Sequence, residues 1–410
     1  MSTPTLPLPV ADYAPHADGP LAGVRVLDLS RLVSGNMLTH QLADFGAEVI
    51  KVERPGVGDD LRNWRTDGVE VHFKHYCRNK KSITLDLRQS RGRELLLDLV
   101  ATAQVLVENF RPGTLEQWGL GPDELHARNP ALIVTRISGW GQTGSKAGDP
   151  GYGSLIEARS GFAAMNGFGD RPPVLPPLAL ADMVAGLQGA FAVMVALRAI
   201  ETNGGPGQII DLSLFEPLHS ILGPNAAIYQ LTGREPQRTG NRSQTTAPRN
   251  AYRTKDGKFV ALSASMQSMA ERLFRAIGRP ELIDDPRFRT NADRVANNDE
   301  LDPIVAAFMA RHTQAELVAF FTERAVTVGP VYSVADIVED SYVHERGVLA
   351  NFPDEEMAAM PMPVPAVRLS GTPGAIRTPA PKVGQHNEAV FAPIGVGPEE
   401  LAALRGQGII

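Results

Sequence analysis

From residue 24 the chain alternates short β-branched runs with helical stretches, and this alternation limits its fold more than any other feature. VRVLDL (24–29) reads as a strand, and NMLTHQLADFG (36–46) as a helix stopped by Gly46. AEVIKVE (47–53), SITLDL (82–87), QVLVENF (104–110) and ALIVTRISG (131–139) read as further strands. An amphipathic helix, RGRELLLDLVATA (91–103), lies among them. Strands joined through single helices pair in parallel by right-handed crossovers. The expected class is therefore α/β, with a Rossmann-like domain. Helices over 154–167 and 183–202 follow, and IIDLSLFE (209–216) resumes strand character.

The pattern changes beyond 223, where LGPNAAIYQLTGREPQRTGNRSQTTAPRN is polar and lacks a clear period. AYRTKDGKFVALSA (251–264) reads as a hairpin turning at Asp256-Gly257. Three helical pieces come next, then a Pro-rich tail and a short terminal helix. A chain of 410 residues has room for a large domain and a smaller α+β one. The expected boundaries are an N-terminal arm (1–20), a large Rossmann-like domain (21–224), a small domain (225–335), and a linker with C-terminal segment (336–410).

The net charge of −6 gives no electrostatic reason to expect nucleic acid. An anionic ligand would need a local basic patch. The single cysteine, Cys77, excludes an intramolecular disulfide and fits a reducing compartment. No basic n-region precedes an apolar core at the start, so the arm does not read as a signal peptide. The longest apolar stretch, near 178–200, is interrupted by Asp182, Gln188 and Arg198, which argues against a membrane span. A cytoplasmic protein without membrane partners is expected.

Nine scattered histidines and one cysteine give no zinc-ligand spacing, so no metal site is expected. There is no G-x-S-x-G elbow. After the first strand, SRLVSGNML has one glycine where a dinucleotide fingerprint needs three. Basic residues cluster in the N-terminal half: Arg54, Arg62, Arg65, Arg78, Lys80, Lys81, Arg88 and Arg111. Several follow predicted strands, where open α/β sheets bind ligands. They read either as a solvated face or as a site for a phosphorylated ligand, whose geometry suits paired arginine donors.

One carboxylate, Asp182, stands inside PLALADMVAGLQG, between Arg171 and Arg198 as the nearest charges in sequence. It reads as a helix N-cap. It also reads as a nucleophile, because a helix N-terminus favours an anion and an apolar setting strips water from it. Small neighbours, Ala181, Ala185 and Gly186, would leave room for a substrate.

LAGVRVLDLSRLVSGNMLTHQLADFGAEVIKVERPGVGDDLR, NKKSITLDLR, VLVENFRPGTLEQWGL, ISGWGQTG, LALADMVAGLQGAF, GPGQIIDLSLFE and the tail VRLSGTPGAIRTPAPKVGQHNEAVF occur in this order. Together they resemble the class III CoA-transferases, which include formyl-CoA, carnitine-CoA and bile-acid-CoA transferases. The resemblance implies a Rossmann-like large domain completed by the C-terminal segment, and an interlocked-ring homodimer. It implies transfer of coenzyme A between an acyl-CoA and a carboxylic acid, through covalent aspartyl anhydride and aspartyl-CoA intermediates on Asp182. CoA would be a substrate moiety, with no separate cofactor. CoA contacts carry over to Leu32, Val33, Ser34, Arg54, Leu85, Asp86, Leu87, Arg88, Asn109, Phe110, Arg111, Ser138, Gly139, Trp140 and Gly141.

The chain departs from that pattern in places. Val33 stands where formyl-CoA transferases carry a glutamine. GNRSQTTAPRN (240–250) replaces a GGGGQ loop, and Gln117 a basic residue. These departures argue against a formyl-CoA or oxalate substrate. The closest rival is an α-methylacyl-CoA racemase, which shares the aspartate and pairs it with a histidine. Tyr152 holds that place here, and a tyrosine, ordinarily titrating near pH 10, is a poor base at neutral pH. The other rival is a CoA-binding protein without chemistry.

Overall fold

The computed structural model describes residues 6–410. The chain divides into two compact units. One holds the described residues up to Phe162, with Pro176–Gly223 and Val338–Ile410; the other holds Ala163–Leu175 and Pro224–Ile337.

The first unit is built on six strands: β1 (Arg25–Asp28), β2 (Glu48–Glu53), β3 (Lys80–Thr84), β4 (Val105–Glu108), β5 (Ile133–Ser138) and β6 (Ile209–Ser213). All pair in parallel, in the order β3-β2-β1-β4-β5-β6. This is the doubly wound order, with its reversal between β1 and β4. Alternate residues feed two separate cores, as a pleat with both faces covered requires. Leu27, Ile50, Ile83, Leu106 and Val134 face one core, where the Ser90–Val100 helix packs through Leu95, Leu96 and Leu99. Val26, Val49, Val105 and Ile133 face the other. There the first helix (Ser34–Asp44) contributes Leu38 and Leu42, and the long helix (Leu180–Asn203) Ala181, Ala185 and Val193.

β3 starts at Lys80, two residues before the sequence expectation. Lys80 and Lys51, the latter on the adjacent β2, are fully buried and share Asp28, Lys80 at 3.0 Å and Lys51 at 3.6 Å. A charge at a strand's first position reads as loop until its buried partner is known. The expected helix over 154–167 is two helices, Gly153–Arg159 and Phe162–Met165, broken at Gly161, whose φ is +99°. The 209–216 strand stops at Ser213, and Phe215–Ser220 is helical.

The long helix has 24 residues and, contrary to the sequence reading, is long and apolar enough to cross a membrane by length and composition. Part of it belongs to the core described above. Leu187, Phe191, Met194 and Val195 are exposed.

The tail belongs to this unit. The amide of Asp86 donates to the Ile409 carbonyl (2.8 Å) and that of Thr84 to Asn387 Oδ1 (2.8 Å), while Phe391, Leu401, Leu404, Ile409 and Ile410 join the core of the Ser90–Val100 helix. Part of the expected arm is anchored: Ala11 donates to the Asn351 carbonyl, and Asn351 to that of Pro9. Residues 1–5 of that arm lie outside the described residues.

In the second unit, β7 (Arg249–Arg253), β8 (Phe259–Ser263) and β9 (Val328–Pro330) form an antiparallel sheet. The β7–β8 turn contains Gly257 at φ +79°. The Gln267–Ala276, Asn298–Met309 and Gln314–Glu323 helices bury Phe274, Leu301 and Phe321 against it. The polar stretch beyond 223 contains a helix, Asn225–Thr232, that buries none of its own residues.

Candidate active site

Asp182 is the third residue of the long helix, not its N-cap; Ala179 holds that position and makes no side-chain cap. Its own amide and the amide and hydroxyl of Ser34, at the start of the first helix, favour the anion of the carboxylate. Glycines bring these helices together. A Cβ on Gly186 would lie 2.7 Å from Met37 Cβ and 2.9 Å from the Ser34 carbonyl oxygen, and one on Gly189 would lie 2.5 Å from Leu38 Cδ1. Any larger side chain would force the helices apart. The small residues after Asp182 therefore admit a neighbouring helix, whereas the sequence reading gave that room to a substrate.

On its other side Asp182 faces Gly153, where a Cβ would stand 2.3 Å from Asp182 Oδ2. The Gly153 segment is held by the loop after β5. A Cβ on Gly139 would meet the Gly151 Cα at 2.4 Å, so the two backbones cross in direct contact. Trp140 Nε1 donates to the Pro150 carbonyl (3.0 Å), and Asp211 on β6 accepts the Gln142 amide at 3.0 Å with both oxygens. Gly141 adopts φ +86° beside it. Gly139 and Trp140 thus position the 150–151 segment, while Gly141 turns beside Asp211 and the Ser138 carbonyl accepts the Leu214 amide. The Ser138 hydroxyl is buried and has no hydrogen-bond partner among the described residues.

Asp182 is partly buried and is pushed up to about 6, chiefly because burial disfavours its anion and secondly because Glu157 repels it. Glu157, on the Gly153–Arg159 helix, is 2% exposed and accepts the Ala181 amide at 3.2 Å. Neither carboxylate makes an ion pair among the described residues. Sequence reasoning missed Glu157 because it lies 25 positions upstream. Its signal was a lone acid one position after Ile156, on the buried face of a short amphipathic helix.

At the C-terminal ends of β1 to β4, beside the topological reversal, lies a cavity of about 350 Å³. Arg54, Leu85, Asp86, Leu87, Arg88, Phe110 and Arg111 line it, all expected from sequence. The side chains of Arg54 and Arg111 make no ion pair or hydrogen bond among the described residues and are free to meet an anion. Arg88 pairs with Asp86 at 2.8 Å but is largely exposed. Arg31 and Trp118 were missed. Both line the cavity around Phe110, the Arg31 guanidinium 5.7 Å from its ring and Trp118 edge-on at 5.2 Å.

The other expected contacts do not line this cavity. Leu32 takes a left-handed φ of +60°, held where its amide donates to Asp59 and its carbonyl accepts from Asn36. Val33 is buried with Leu61, Phe73 and Cys77, beside Ala179 and Met183. Asn109 bonds the Arg31 backbone through both ends of its amide and reaches the Ser34 hydroxyl at 3.4 Å. Leu32, Val33, Ser34 and Asn109 therefore shape the loop leading to Asp182. The basic cluster also divides. Arg62 pairs with Glu53, Arg78 with Asp44 and Lys80 with Asp28, all buried; Arg65 pairs with Glu70 and Lys81 with Glu48. Among the described residues, no three His, Cys, Asp or Glu gather as a metal site.

Comparison with known proteins gives the family of the chain. The succinyl-CoA–D-citramalate CoA-transferase of Chloroflexus aurantiacus is 40% identical over 395 residues, 95% of this chain and 98% of that protein. The mouse succinyl-CoA:glutarate CoA-transferase is 35% identical over 375 residues, covering 91% and 86%. The crystal structure of a CAIB/BAIF family protein from Brucella suis superposes with a TM-score of 0.81 at 33% identity, covering 92% of this chain and all of that one. The family model of CoA-transferase family III matches residues 21–387, and the chain belongs to that family.

Proposed function

We propose that Asp182 is the group acylated when this enzyme moves coenzyme A between an acyl-CoA and a carboxylic acid. One observation carries the reading: a partly buried carboxylate with no ion-pair partner among the described residues, in the first turn of a long helix, its oxygen set where a side chain on Gly153 would otherwise stand. An Asp182 oxygen adds to the thioester carbonyl, the C–S bond breaks, and CoA leaves as thiolate with the bonding electrons. The thiolate then adds to the aspartyl carbonyl of the mixed anhydride. Its C–O bond breaks, releasing the donor acid as carboxylate and leaving an aspartyl-CoA thioester. The acceptor acid runs the same steps in reverse. No proton is gained or lost overall.

Arg54, Arg88 and Arg111 supply charge to the CoA phosphates in the cavity at the sheet reversal. The relatives' names speak of succinyl-CoA as donor, and of citramalate, malate or glutarate as the partner acid. A dicarboxylic acyl group is the substrate class assigned here. A panel of succinyl-, acetyl- and formyl-CoA against dicarboxylic and monocarboxylic acids, read by mass spectrometry of the CoA products, tests this. Turnover is expected with succinyl-CoA and a dicarboxylate. Turnover confined to monocarboxylic pairs would refute the substrate class. Deuterium entering the α-position of an acyl-CoA in heavy water, without any acceptor acid, would favour the racemase instead.

The assembly assigned is an interlocked homodimer. The exposed row Leu187, Phe191, Met194 and Val195 on the long helix supports it, since so large an apolar face on one helix calls for cover. Light scattering is expected to give twice the 44.1 kDa of one chain. A mass of one chain at micromolar concentration would contradict the dimer.

A further inference from the structure

Glu157 is buried to 2% exposure with no ion-pair partner among the described residues, and an isolated buried carboxylate is costly unless something maintains it. Among the described residues its carboxylate takes one hydrogen bond from outside its own helix, from a neutral donor, the Ala181 amide, one residue before Asp182. The two acids flank one missing side chain: a Cβ on Gly153 would be 2.3 Å from Asp182 Oδ2 and 4.0 Å from Glu157 Oε1. Among the described residues no cation pairs with either. On the Gly153–Arg159 helix itself, Arg159 leans 5.5 Å over the Trp140 ring, and Tyr152 at its N-cap is exposed. From the Phe215–Ser220 helix, Glu216 bonds the Ser213 hydroxyl and His219 the Ser160 carbonyl. From the first helix comes the Ser34 hydroxyl, while His40 and Asp44 sit at its other end, with Asp44 held by Arg78.

We infer that Glu157 is a positioning residue whose carboxylate, set across Gly153 from Asp182, favours the acylated state of Asp182 over the free one. The inference rests on the reading of Asp182 as the acylated group. Taken over both half-steps, aspartate anion plus acyl-CoA gives neutral aspartyl-CoA thioester plus a free carboxylate that departs into solvent. The negative charge leaves the pocket, so whatever Glu157 adds to the cost of that anion is returned when the thioester forms. Protonation of Asp182 is driven by the same repulsion, and the same residue therefore sets the acid limb of the pH profile. The Glu157 carboxylate also fixes the start of the long helix through Ala181, and an amide oxygen in its place can still accept that bond.

The test compares wild type, Glu157→Gln and Glu157→Asp. Each is incubated with succinyl-CoA and free succinate at a fixed ratio, and the covalent CoA adduct is quantified by intact mass from pH 5 to 8. For Glu157→Gln the ratio of adduct to free enzyme should fall about tenfold and the acid limb of kcat should move down by about one pH unit, with KM for succinyl-CoA unchanged. Glu157→Asp keeps the charge and should hold the acid limb at its wild-type position. A Glu157→Gln enzyme with wild-type adduct ratio and acid limb would overturn the inference, as would a Glu157→Asp limb displaced like that of Glu157→Gln. Absence of adduct in wild type at every pH would instead refute the reading of Asp182 itself.

Discussion

Asp182→Ala is expected to lower transfer by on the order of 10⁴-fold or more while leaving CoA affinity within about twofold. The residue carries both half-reactions in the proposed scheme, so no other side chain can take over part of its work. The cavity assigned to CoA is lined by Arg54, Arg88, Phe110 and Arg111, none of which touches Asp182. Calorimetric titration with CoA, beside turnover of succinyl-CoA, checks both halves. Near-normal turnover would refute the mechanism.

The same variant should be more stable than wild type above pH 6. Asp182 is held near 6 in the folded chain, against about 3.9 when unfolded. The folded state binds the extra proton, so wild-type stability is lost as pH rises from about 4 through 6. Removing the acid should recover of the order of 1–2 kcal/mol at pH 8, and this advantage should vanish below pH 4. Urea midpoints at pH 8 and pH 4 measure it.

Asp28→Ala should destabilise the chain by about 3–5 kcal/mol. Asp28 is fully buried at the end of β1 and receives Lys80 at 3.0 Å, Lys51 at 3.6 Å, the Ser30 hydroxyl at 2.5 Å and the Thr39 hydroxyl at 2.6 Å. Without it, Lys51 retains Asp59 at 2.9 Å, but Lys80 is left with Asn36 and the Thr39 hydroxyl only. Burial alone would raise Asp28, yet the two ammonium groups outweigh it and hold the acid at about 2. Its contribution to stability is therefore present above pH 4 and is lost as pH falls through 2. Urea unfolding at pH 7 reads the loss directly, and a change under 1 kcal/mol would contradict it. Activity should fall with it, because Lys51 also bonds the Ser30 carbonyl, in the loop that leads to Ser34.

Much of the sheet was legible because its signal is local. Runs such as VRVLDL and ALIVTRISG carry period and β-branching, and the strands lie within one or two residues of those runs. Lys80 escaped because a charge in a strand makes sense only with Asp28, which another element brings to it. Asp182 stood out as a lone acid in apolar sequence. Glu157 did not, since its relation to Asp182 exists only once the Gly153 segment lies against the long helix. Likewise, nothing in SRLVSGNML says that Gly186 and Gly189 will seat the first helix and so deliver the Ser34 hydroxyl to the carboxylate.

The placement of Phe391, Leu401, Leu404 and Ile409 on the same core as Leu95, Leu96 and Leu99 has a consequence for biosynthesis. A ribosome emits the sheet early and its covering layer at the last, after the whole inserted unit has emerged. Through that interval the Ser90–Val100 helix covers that side of the sheet only in part, and the nascent chain carries adhesive surface that its own tail has yet to shield. Proteins with such closure at a distance fold slowly, since the ends must find each other across most of the polypeptide.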